Sequence, residues 1–460
     1  MKTSLALILS TTLLALAGKG DPAQIPTHSI QPTPLTRGTP LRPGLWQGQL
    51  LAGTAKINIT PENTRQPVHD KVNARALVLE IGGKRLAFVS VDLGIYTSER
   101  LVAACKEKFG LSQMLLSSSH THSGPGVWPN LQVMFDVSPG DRQRLIDYRD
   151  RLVDDLVEVV GAALADLSPA TFAAGHGSAG FAVNRRQPSG KGFKLGVNPA
   201  GPVDHDVPVL RIATPGGKLR AVLFGYACHN TTLGGDRYEI NGDYAGFAQI
   251  ELEKALPGAT ALFLMLCGGD QNPHPRGTPE LAAQHGKTLA GEVERVLAGG
   301  LRPLCPTIRT GYEEVKLDLA RRERAVFEQE AKGNDRFGKR CAEAVLAALD
   351  AGRQVWQVPV PVQVVGFGDN LAMLALGGEV VVDYSLRLKR EYPQTDLIVA
   401  GYTNDVPCYI PSRRVLGEGG YEAVYSMVLD CQAGPFADSV EETLVGACRR
   451  MLAKVGVPRP

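Results

Sequence analysis

Residues 76–91 read ALVLEIGGKRLAFVSV, and this stretch carries the plainest fold signal in the chain. Two apolar runs of strand length, Ala76 to Ile81 and Leu86 to Val91, flank the connection Gly82-Gly83-Lys84-Arg85. A short glycine-rich connection between apolar runs is typical of a β-hairpin, because glycine readily adopts the positive φ angles that tight hairpin turns need. The stretch therefore predicts two antiparallel strands.

Similar patterns continue along the chain and include helices. Val358 to Val365 and Leu371 to Leu376 predict a second hairpin, and apolar residues recur at helical spacing from Arg142 to Leu167. Thr278-Pro279 is typical of an N-cap followed by the first helical residue, which predicts a helix to about Leu297. Strands interleaved with helices and hairpins predict an α/β domain with mixed sheets rather than repeated βαβ units. No later break divides the chain, so residues 49–460 are predicted to form one catalytic domain.

Composition excludes several function classes. The 460 residues are 44% hydrophobic, and 49 basic residues nearly cancel 47 acidic ones to a net charge of +2. No basic run indicates nucleic-acid binding, and no G-x-S-x-G motif indicates a serine α/β-hydrolase. Gly286-Lys287-Thr288 resembles the end of a P-loop, but Leu281 occupies the position of the leading glycine.

The N-terminus resembles an export signal. Lys2 precedes an apolar stretch from Leu5 to Leu16, and Ala15-Leu16-Ala17 matches a small-x-small cleavage site. We therefore expect a signal peptide over residues 1–17, a Pro-rich leader or linker over 18–48, and a secreted or periplasmic protein. No other stretch has the length and hydropathy of a membrane span, so we expect none in the mature chain. The eight cysteines are scattered without a C-x-x-C pair, and their pairing cannot be derived from spacing.

Polar or glycine-rich clusters follow five of the apolar, strand-like runs. Because loops beyond the carboxyl ends of strands form the ligand sites of α/β folds, we expect these clusters to converge. The clusters are Ser117 to Gly126, Cys228-His229-Asn230, Cys267 to Pro273, Gly377-Gly378-Glu379, and Gly401 to Tyr409.

The clusters contain candidate metal ligands. His120, His122, His229 and Glu379 supply imidazole nitrogen and carboxylate oxygen, which suit a catalytic zinc. Alternatives remain open at this level. One histidine of the His120-Thr121-His122 segment can bind metal while the other faces substrate, or both can bond loop backbone. His229 is equally interpretable as a core histidine, and Glu379 as the acid at the start of a helix over Val380 to Lys389.

Taken in order, these motifs resemble the catalytic domain of the neutral/alkaline non-lysosomal ceramidase family. The resemblance extends from Ala52-Gly53 to beyond Tyr425. It rests on His120-Thr121-His122-Ser123-Gly124-Pro125-Gly126, Ala227 to Thr232, Gly242-Asp243-Tyr244, Gly269-Asp270, Gly378-Glu379, Gly401 to Asn404, and Gly419 to Glu422.

The resemblance implies roles that spacing alone does not. It implies one zinc ion per chain, bound by His120, His229, Glu379 and Tyr409. It places three further residues, His122, Arg185 and Tyr421, around the scissile group, and Asn272 occupies a fourth functional position. The implied reaction is hydrolysis of an N-acyl amide bond, of ceramide or a related lipid-like or small N-acyl compound, by zinc-activated water.

Two departures from the family pattern concern the substrate. Asn272 stands where characterised ceramidases have a functional serine, and the sequence ends at Pro460 where they continue into a β-rich domain. We therefore expect direct hydrolysis without an acyl-enzyme and poor turnover of long-chain ceramide. The rival functions are a zinc-dependent esterase or lactonase acting on a non-lipid substrate and a non-catalytic secreted binding protein.

Overall fold

The computed structural model describes residues 46–458 except Asn63, Ser98, Leu131, Lys191 and Asp236. The predicted signal peptide over residues 1–17 and most of the predicted leader over 18–48 lie outside the described residues. Near the end of that leader, Trp46 and Gln47 form a short strand that pairs with Ile308 and Thr307.

The strands of the described chain are mostly short, and several contain only two or three residues. In chain order they are β1 (Trp46–Gln47), β2 (Leu50–Asn58), β3 (Asn73–Ile81), β4 (Lys84–Val91), β5 (Met114–Ser118), β6 (Ser168–Pro169), β7 (Thr171–Ser178), β8 (Ala182–Ser189), β9 (Gly192–Asn198), β10 (Asp206–Ala213), β11 (Leu219–Tyr226), β12 (Thr260–Met265), β13 (Gln271–Pro273), β14 (Arg302–Pro303), β15 (Thr307–Asp318), β16 (Gln357–Phe367), β17 (Leu371–Leu376), β18 (Glu379–Val380), β19 (Asp396–Ala400) and β20 (Tyr409–Ile410).

The helices alternate with these strands. They are α1 (Glu99–Phe109), α2 (Pro139–Ala165), α3 (Asp243–Ala255), α4 (Pro279–Gly299), α5 (Arg324–Glu330), α6 (Arg336–Asp350), α7 (Val382–Glu391), α8 (Arg413–Glu418), α9 (Ser426–Leu429) and α10 (Val440–Lys454), with a π-helical turn at Tyr421–Tyr425 before α9. Among the residues that the structure describes, no helix combines the length and hydropathy of a membrane span.

Three five-stranded sheets organise the fold. Their strand orders are β5-β4-β3-β2-β6, β12-β11-β10-β7-β14 and β1-β15-β16-β17-β19. Most pairs are antiparallel, but β4–β5, β11–β12 and β17–β19 are parallel, so each sheet is mixed. The prediction of an α/β fold with mixed sheets is confirmed.

The three sheets enclose one apolar core. Leu77, Leu79 and Ile81 of β3 face this core, whereas Ala74, Ala76 and Val78 face a second cluster with α1 and α2. Alternate residues of a strand point to opposite faces, so a strand buried on both faces reads as continuously apolar. One phenylalanine from each sheet lies at the centre of this core. The Phe367 ring lies 6.2 Å from the Phe88 ring and 6.1 Å from the Phe172 ring. Burial of both faces explains why the strand runs of the sequence are so strongly hydrophobic.

Most of the predicted hairpins and helices are present in the structure. Both hairpins form, as β3–β4 and β16–β17, and Gly82 and Gly83 adopt φ angles of 58° and 76° in the first turn. The predicted long helix is α2. The Thr278 side chain caps α4 by accepting a hydrogen bond from the Leu281 N–H at 3.3 Å. The predicted helix over Val380 to Lys389 begins later, at Val382, because Glu379 and Val380 pair with Tyr409 and Ile410 as strand.

The carboxyl ends of the parallel edge strands of the three sheets meet. Isolated antiparallel bridges join Ser117 to Thr403 and Leu266 to Ala400, so the ends of β5, β12 and β19 lie together. The loops that follow these strands, together with those after β11 and β17, converge at this point. The expected convergence of the five clusters is present in the structure.

Candidate metal centre

The loop after β5 presents His120. Its backbone lies in the left-handed region at φ 63°, and its N–H donates to the Leu93 carbonyl at 2.9 Å. The ring Nδ1 lies 2.9 Å from the carbonyl oxygen of Gly94, and His120 is buried. Because a carbonyl only accepts, Nδ1 carries the proton and Nε2 keeps its lone pair. His120 therefore aims an acceptor nitrogen into the centre.

The loop after β11 holds His229 in the same way. Nδ1 lies 2.7 Å from the Gly268 carbonyl oxygen, and the backbone N–H donates to the Gln271 carbonyl at 2.9 Å. Burial, and then the nearby Arg185 guanidinium, lower the pKa of His229 to about 4. The ring is thus neutral at neutral pH, which is the form that binds metal. The Nε2 atom of this buried ring faces the Glu379 carboxylate and the Tyr409 hydroxyl.

Two short parallel strands supply the oxygen donors. Glu379 in β18 pairs with Tyr409 in β20, which brings their side chains to the same edge. Glu379 Oε2 lies 3.2 Å from His120 Nε2 and 3.1 Å from His229 Nε2. The Tyr409 hydroxyl lies 3.0 Å from His229 Nε2. Burial alone would raise the pKa of Glu379, but His120 and His229 outweigh it and lower that pKa well below its usual value.

The donor set fits a zinc ion. Ligand atoms around a tetrahedral zinc with bonds of about 2.0–2.1 Å lie about 3.3 Å from one another. Three of these separations, His120 to Glu379, His229 to Glu379 and His229 to Tyr409, are 3.0–3.2 Å and lie close to that edge length. The two imidazole lone pairs and the carboxylate otherwise face one another at close range in a buried place, and a cation relieves that repulsion. The four residues implied by the family resemblance are therefore brought together.

His122 lies at the same centre but differs in exposure. Its Nε2 is 3.1 Å from His120 Nε2, and the donor atoms of His120, His122 and His229 all lie within 4.8 Å of one another. Unlike the other two histidines, His122 is open to solvent on one face. Burial of the rest of the ring lowers the pKa of His122 well below its usual value. The neighbouring imidazoles of His120 and His229 lower it further. His122 is thus a neutral imidazole where solvent reaches the centre.

Arg185 in β8 connects the remaining predicted residues. Its guanidinium donates to the Tyr409 hydroxyl at 3.0 Å and to Asn272 Oδ1 at 3.3 Å. It also lies 5.6 Å from the centre of the Tyr421 ring, which packs 5.5 Å from the Tyr409 ring. Asn272 in β13 accepts a further bond from the Thr231 hydroxyl at 3.4 Å. All eight predicted site residues therefore form one connected cluster.

The structure adds two residues to which the sequence analysis assigned no role. The Tyr402 hydroxyl donates to Glu379 Oε2 at 3.3 Å, and its ring lies 4.6 Å from that of His120. Glu422 accepts from Arg185 Nε at 2.8 Å and also pairs with Arg186. Both belong to motifs of the family resemblance. The consecutive arginines Arg185 and Arg186 were the one signal that a buried carboxylate partner was needed.

Comparison with known protein families gives a match over the first part of the described chain. The profile of the family described as "Neutral/alkaline non-lysosomal ceramidase, N-terminal" matches residues 50–301. This range includes His120, His122, Arg185, His229 and Asn272. The predicted ligands Glu379 and Tyr409 lie beyond it.

Curated relatives agree with this match. The chain is 25% identical to the neutral ceramidase of Pseudomonas aeruginosa over 293 residues, which is 58% of this chain and 40% of that protein. It is also 25% identical to the neutral ceramidase of Mycobacterium tuberculosis over 260 residues, 53% of this chain and 38% of the relative. The matched part thus spans about two fifths of the length of these relatives.

Solved structures support the fold. The crystal structure of neutral ceramidase from Pseudomonas aeruginosa superposes with a TM-score of 0.67 at 17% identity, covering 90% of this chain and 76% of that one. A structure titled "Ceramidase complexed with C2" gives a TM-score of 0.65 at 17% identity and covers 90% and 77% of the two chains. The superposed range extends past the profile match and establishes a shared fold over nearly the whole described chain.

Proposed function

The chain belongs to the neutral/alkaline non-lysosomal ceramidase family, and from that premise we propose that it is a zinc-dependent hydrolase of N-acyl amide bonds. The observation that carries the proposal is the convergence of His120, His229, Glu379 and Tyr409 at 3.0–3.2 Å. These four side chains would hold one zinc ion per chain. A zinc ion bound there would supply the Lewis acid that makes water nucleophilic at neutral pH and polarises the amide carbonyl.

The protein's own residues prepare the site for this chemistry. The backbone carbonyls of Gly94 and Gly268 fix the tautomers of the two ligand histidines, a task that outer hydrogen bonds commonly perform at metal sites. Burial raises the pKa of the Tyr409 hydroxyl well above its usual value, and the positive charge of Arg185, which donates to that hydroxyl, opposes this rise. Glu422 in turn holds Arg185 in place. The ligand geometry is therefore set before substrate arrives.

His122 is the residue that we assign to proton transfer. Its neutral ring can take a proton from the attacking water and deliver it to the amide nitrogen as the carbon–nitrogen bond breaks. We assign Tyr421, whose ring packs 5.5 Å from that of Tyr409, to donating a hydrogen bond to the developing oxyanion. Burial raises the pKa of Tyr421, so this hydroxyl keeps its proton.

The identity of residue 272, an asparagine, affects both the reaction route and the preferred substrate. An amide side chain is neither a nucleophile nor a base, so no covalent acyl-enzyme can form on it, and water must attack the carbonyl directly. Its Oδ1 already accepts from Arg185 and Thr231. Its NH2 group therefore points away from these donors and remains the part that can orient the N-acyl group. We propose a small or soluble N-acyl compound, rather than long-chain ceramide, as the preferred substrate.

Metal content and activity, measured on matched variants, test the assignment. His229→Ala should lose both zinc and activity, because it removes a ligand. His122→Ala should keep about one zinc per chain and lose activity at least about 100-fold, the usual contribution of general acid–base catalysis. His205→Ala, outside the cluster, is the control. Full zinc occupancy in the double variant His120→Ala, His229→Ala contradicts the site, and loss of zinc from His122→Ala makes His122 a ligand instead.

A substrate panel at matched concentrations tests the reaction. It contains N-acyl amino alcohols, N-acyl amino acids, simple esters and ceramides, compared by kcat/KM. We expect a soluble N-acyl compound to lead and no burst of an acyl-enzyme. Ceramide as the best substrate contradicts the argument from Asn272, and esters far ahead of every amide contradict amide hydrolysis.

Export is a further part of the proposal and rests on the sequence alone. Lys2, the apolar run to Leu16 and the Ala15-Leu16-Ala17 site support cleavage after Ala17. N-terminal sequencing of protein from the native host should begin at or near Gly18. Protein that retains Met1 contradicts the proposal.

A further inference from the structure

Two cysteines that are distant in sequence lie together in the fold. Cys341 is in α6 and Cys431 follows α9, and these two helices pack against each other. The Cys341 thiol donates to the carbonyl oxygen of Gln432, the residue after Cys431, at 3.5 Å, so the two cysteines are close neighbours. All eight cysteines lie in the described part of the chain, and each is a free thiol there. The contact is independent of the proposed hydrolytic site.

The backbone around Cys431 fixes this arrangement. Cys431 lies in the left-handed region at φ 55°, which side chains other than glycine adopt only when the surroundings enforce it. Its N–H donates to the Val428 carbonyl at 3.2 Å, and the Gln432 N–H donates to the Met427 carbonyl at 2.7 Å. Cys341 Sγ also lies 3.5 Å from the Gln432 carbonyl oxygen. These hydrogen bonds at the C-terminal end of α9 therefore hold Cys431 against α6.

The two thiols differ in accessibility. Cys341 is 5% exposed and belongs to the core that α6 shares with β16 and α10. Cys431 is partly exposed at the edge of that core. An accessible cysteine beside a buried partner is the arrangement in which one thiol meets an external oxidant and the other resolves the product.

We propose that Cys341 and Cys431 form a reversible disulfide. The oxidant is a low-molecular-weight disulfide such as oxidised glutathione. The Cys431 thiolate attacks one of its sulfurs, forms a mixed disulfide and releases one glutathione thiolate. Cys341 then attacks the Cys431 sulfur, the second glutathione leaves, and the Cys341 proton passes to a released thiolate. The protein loses two protons and two electrons in total, and the glutathione disulfide is reduced to two thiols.

The local electrostatics suit this order of events. The side-chain interaction with Cys341 lowers the pKa of Cys431, which increases its thiolate fraction. The same interaction, followed by burial, raises the pKa of Cys341. Cys431 is thus the attacking thiol and Cys341 the resolving one.

The cross-link would stabilise a segment next to the metal centre. Gln432, adjacent to Cys431, donates from Nε2 to the Pro407 carbonyl at 3.2 Å, two residues before Tyr409. A bond between α6 and Cys431 closes a long loop of chain and restricts the unfolded state. Oxidation should therefore raise the thermal unfolding midpoint by several degrees.

Peptide mapping tests the proposal on the full-length protein. The protein is equilibrated in glutathione buffers of increasing oxidised fraction, and remaining thiols are alkylated. It is then digested with trypsin and a glutamate-specific protease, which separates Cys431 from Cys448. We expect one peptide pair joined through Cys341 and Cys431, lighter than the two free peptides by two hydrogens and restored by dithiothreitol. The unfolding midpoint should rise over the same range of buffers.

Matched serine variants complete the test. Cys341→Ser and Cys431→Ser should lose the joined peptide and the shift in unfolding midpoint. Cys305→Ser, at the exposed and isolated cysteine, should keep both. The proposal is overturned if Cys341 and Cys431 stay fully alkylated in buffers where Cys305 is already glutathionylated. It is also overturned if Cys431 is joined to any cysteine other than Cys341.

Discussion

At the scale of single residues, backbone strain concentrates around the metal centre. His120, Tyr402 and Asn404 are non-glycine residues with φ angles of 63°, 52° and 66°. Each lies in a loop that follows a parallel edge strand. The left-handed turn redirects the chain directly after the strand and aims the rings of His120 and Tyr402 at each other. Strain of this kind persists only where surrounding contacts enforce it, and it commonly accompanies functional sites.

Gly269 allows the chain to pass the ligand Glu379 closely. A Cβ atom at this position would lie 2.6 Å from the Glu379 carbonyl oxygen and 2.9 Å from that of Val380. Both atoms belong to the backbone of β18, so neither can move without displacing Glu379, the proposed zinc ligand. We expect Gly269→Ala to lower zinc occupancy and to reduce activity by at least about tenfold, which corresponds to about 1.4 kcal/mol.

The control for this substitution is Gly291→Ala. Gly291 lies within α4 with open space at its Cβ position, so alanine there should be neutral or slightly stabilising. Zinc content by atomic emission and the unfolding midpoint are measured on both variants. Normal zinc content in Gly269→Ala would show that β18 tolerates the displacement.

At the scale of elements, the long ones were predictable and the short ones were not. The hairpins β3–β4 and β16–β17 and the helices α2 and α4 have enough residues for a period to be evident in the sequence. β18 and β20 contain two residues each and exist only because distant loops meet. For that reason Glu379 was interpretable as a helix-start acid, and Tyr409 entered through the family resemblance alone. Tyr402 and Glu422 were missed as partners because their contacts are set by tertiary packing.

The N-cap of α4 offers an element-scale prediction. Thr278 has an extended backbone at φ −135°, and its hydroxyl accepts the Leu281 N–H at the start of a 21-residue helix. Removing the cap leaves one helix N–H without a partner in the protein, which costs about 1 kcal/mol. We expect Thr278→Ala to lower the free energy of unfolding by about that amount in urea denaturation. Thr278→Ser keeps the acceptor oxygen and should stay near wild type. Equal losses in both variants would assign the effect to packing of the methyl group.

At the scale of the whole molecule, the sequence predicted strands but not their assembly. Residues that face the central core and residues that face the helices are both apolar, so hydropathy does not reveal which sheet a strand joins. The meeting of Phe88, Phe172 and Phe367 from three sheets is a property of the assembled core. The strand ends were nevertheless sufficient to predict where the site would form, because polar clusters after parallel strands converge in α/β folds.

A charge network joins two of the three sheets away from the metal centre. The His176 ring on β7 lies between two carboxylates, with Nδ1 2.7 Å from Asp206 and Nε2 2.6 Å from Asp396. Lys389 of α7 pairs with Asp206 at 2.8 Å, and Arg302 of β14 pairs with Asp396 at 3.0 Å. The network therefore links the β7 sheet to β19 and α7 through alternating charges, and its contribution to stability depends on the protonation of His176.

The direction of this pH dependence of stability follows from the shift in the pKa of His176. Burial alone would lower the pKa of His176, but Asp206 and Asp396 outweigh it and raise the pKa to about 10. In the unfolded chain the histidine pKa is about 6.5. The folded state therefore binds a proton that the unfolded state has lost between these pH values, and stability falls as pH rises through this window. The contribution is complete below about pH 6.5 and is lost as the pH passes about 10.

Urea unfolding of wild type, His176→Gln and His205→Gln at a series of pH values from 6 to 10 measures this linkage. We expect His176→Gln to be less stable than wild type by about 3 kcal/mol near pH 6, because it removes the cation between two buried carboxylates. The difference should shrink toward pH 10, where the wild-type ring has begun to lose its proton. His205→Gln should follow the wild-type pH dependence, because the ring Nε2 of His205 contacts the Ala182 carbonyl oxygen instead of a carboxylate. A wild-type minus His176→Gln difference that stays constant over the whole range would mean that His176 stabilises the two sheets by packing and hydrogen bonding rather than by charge.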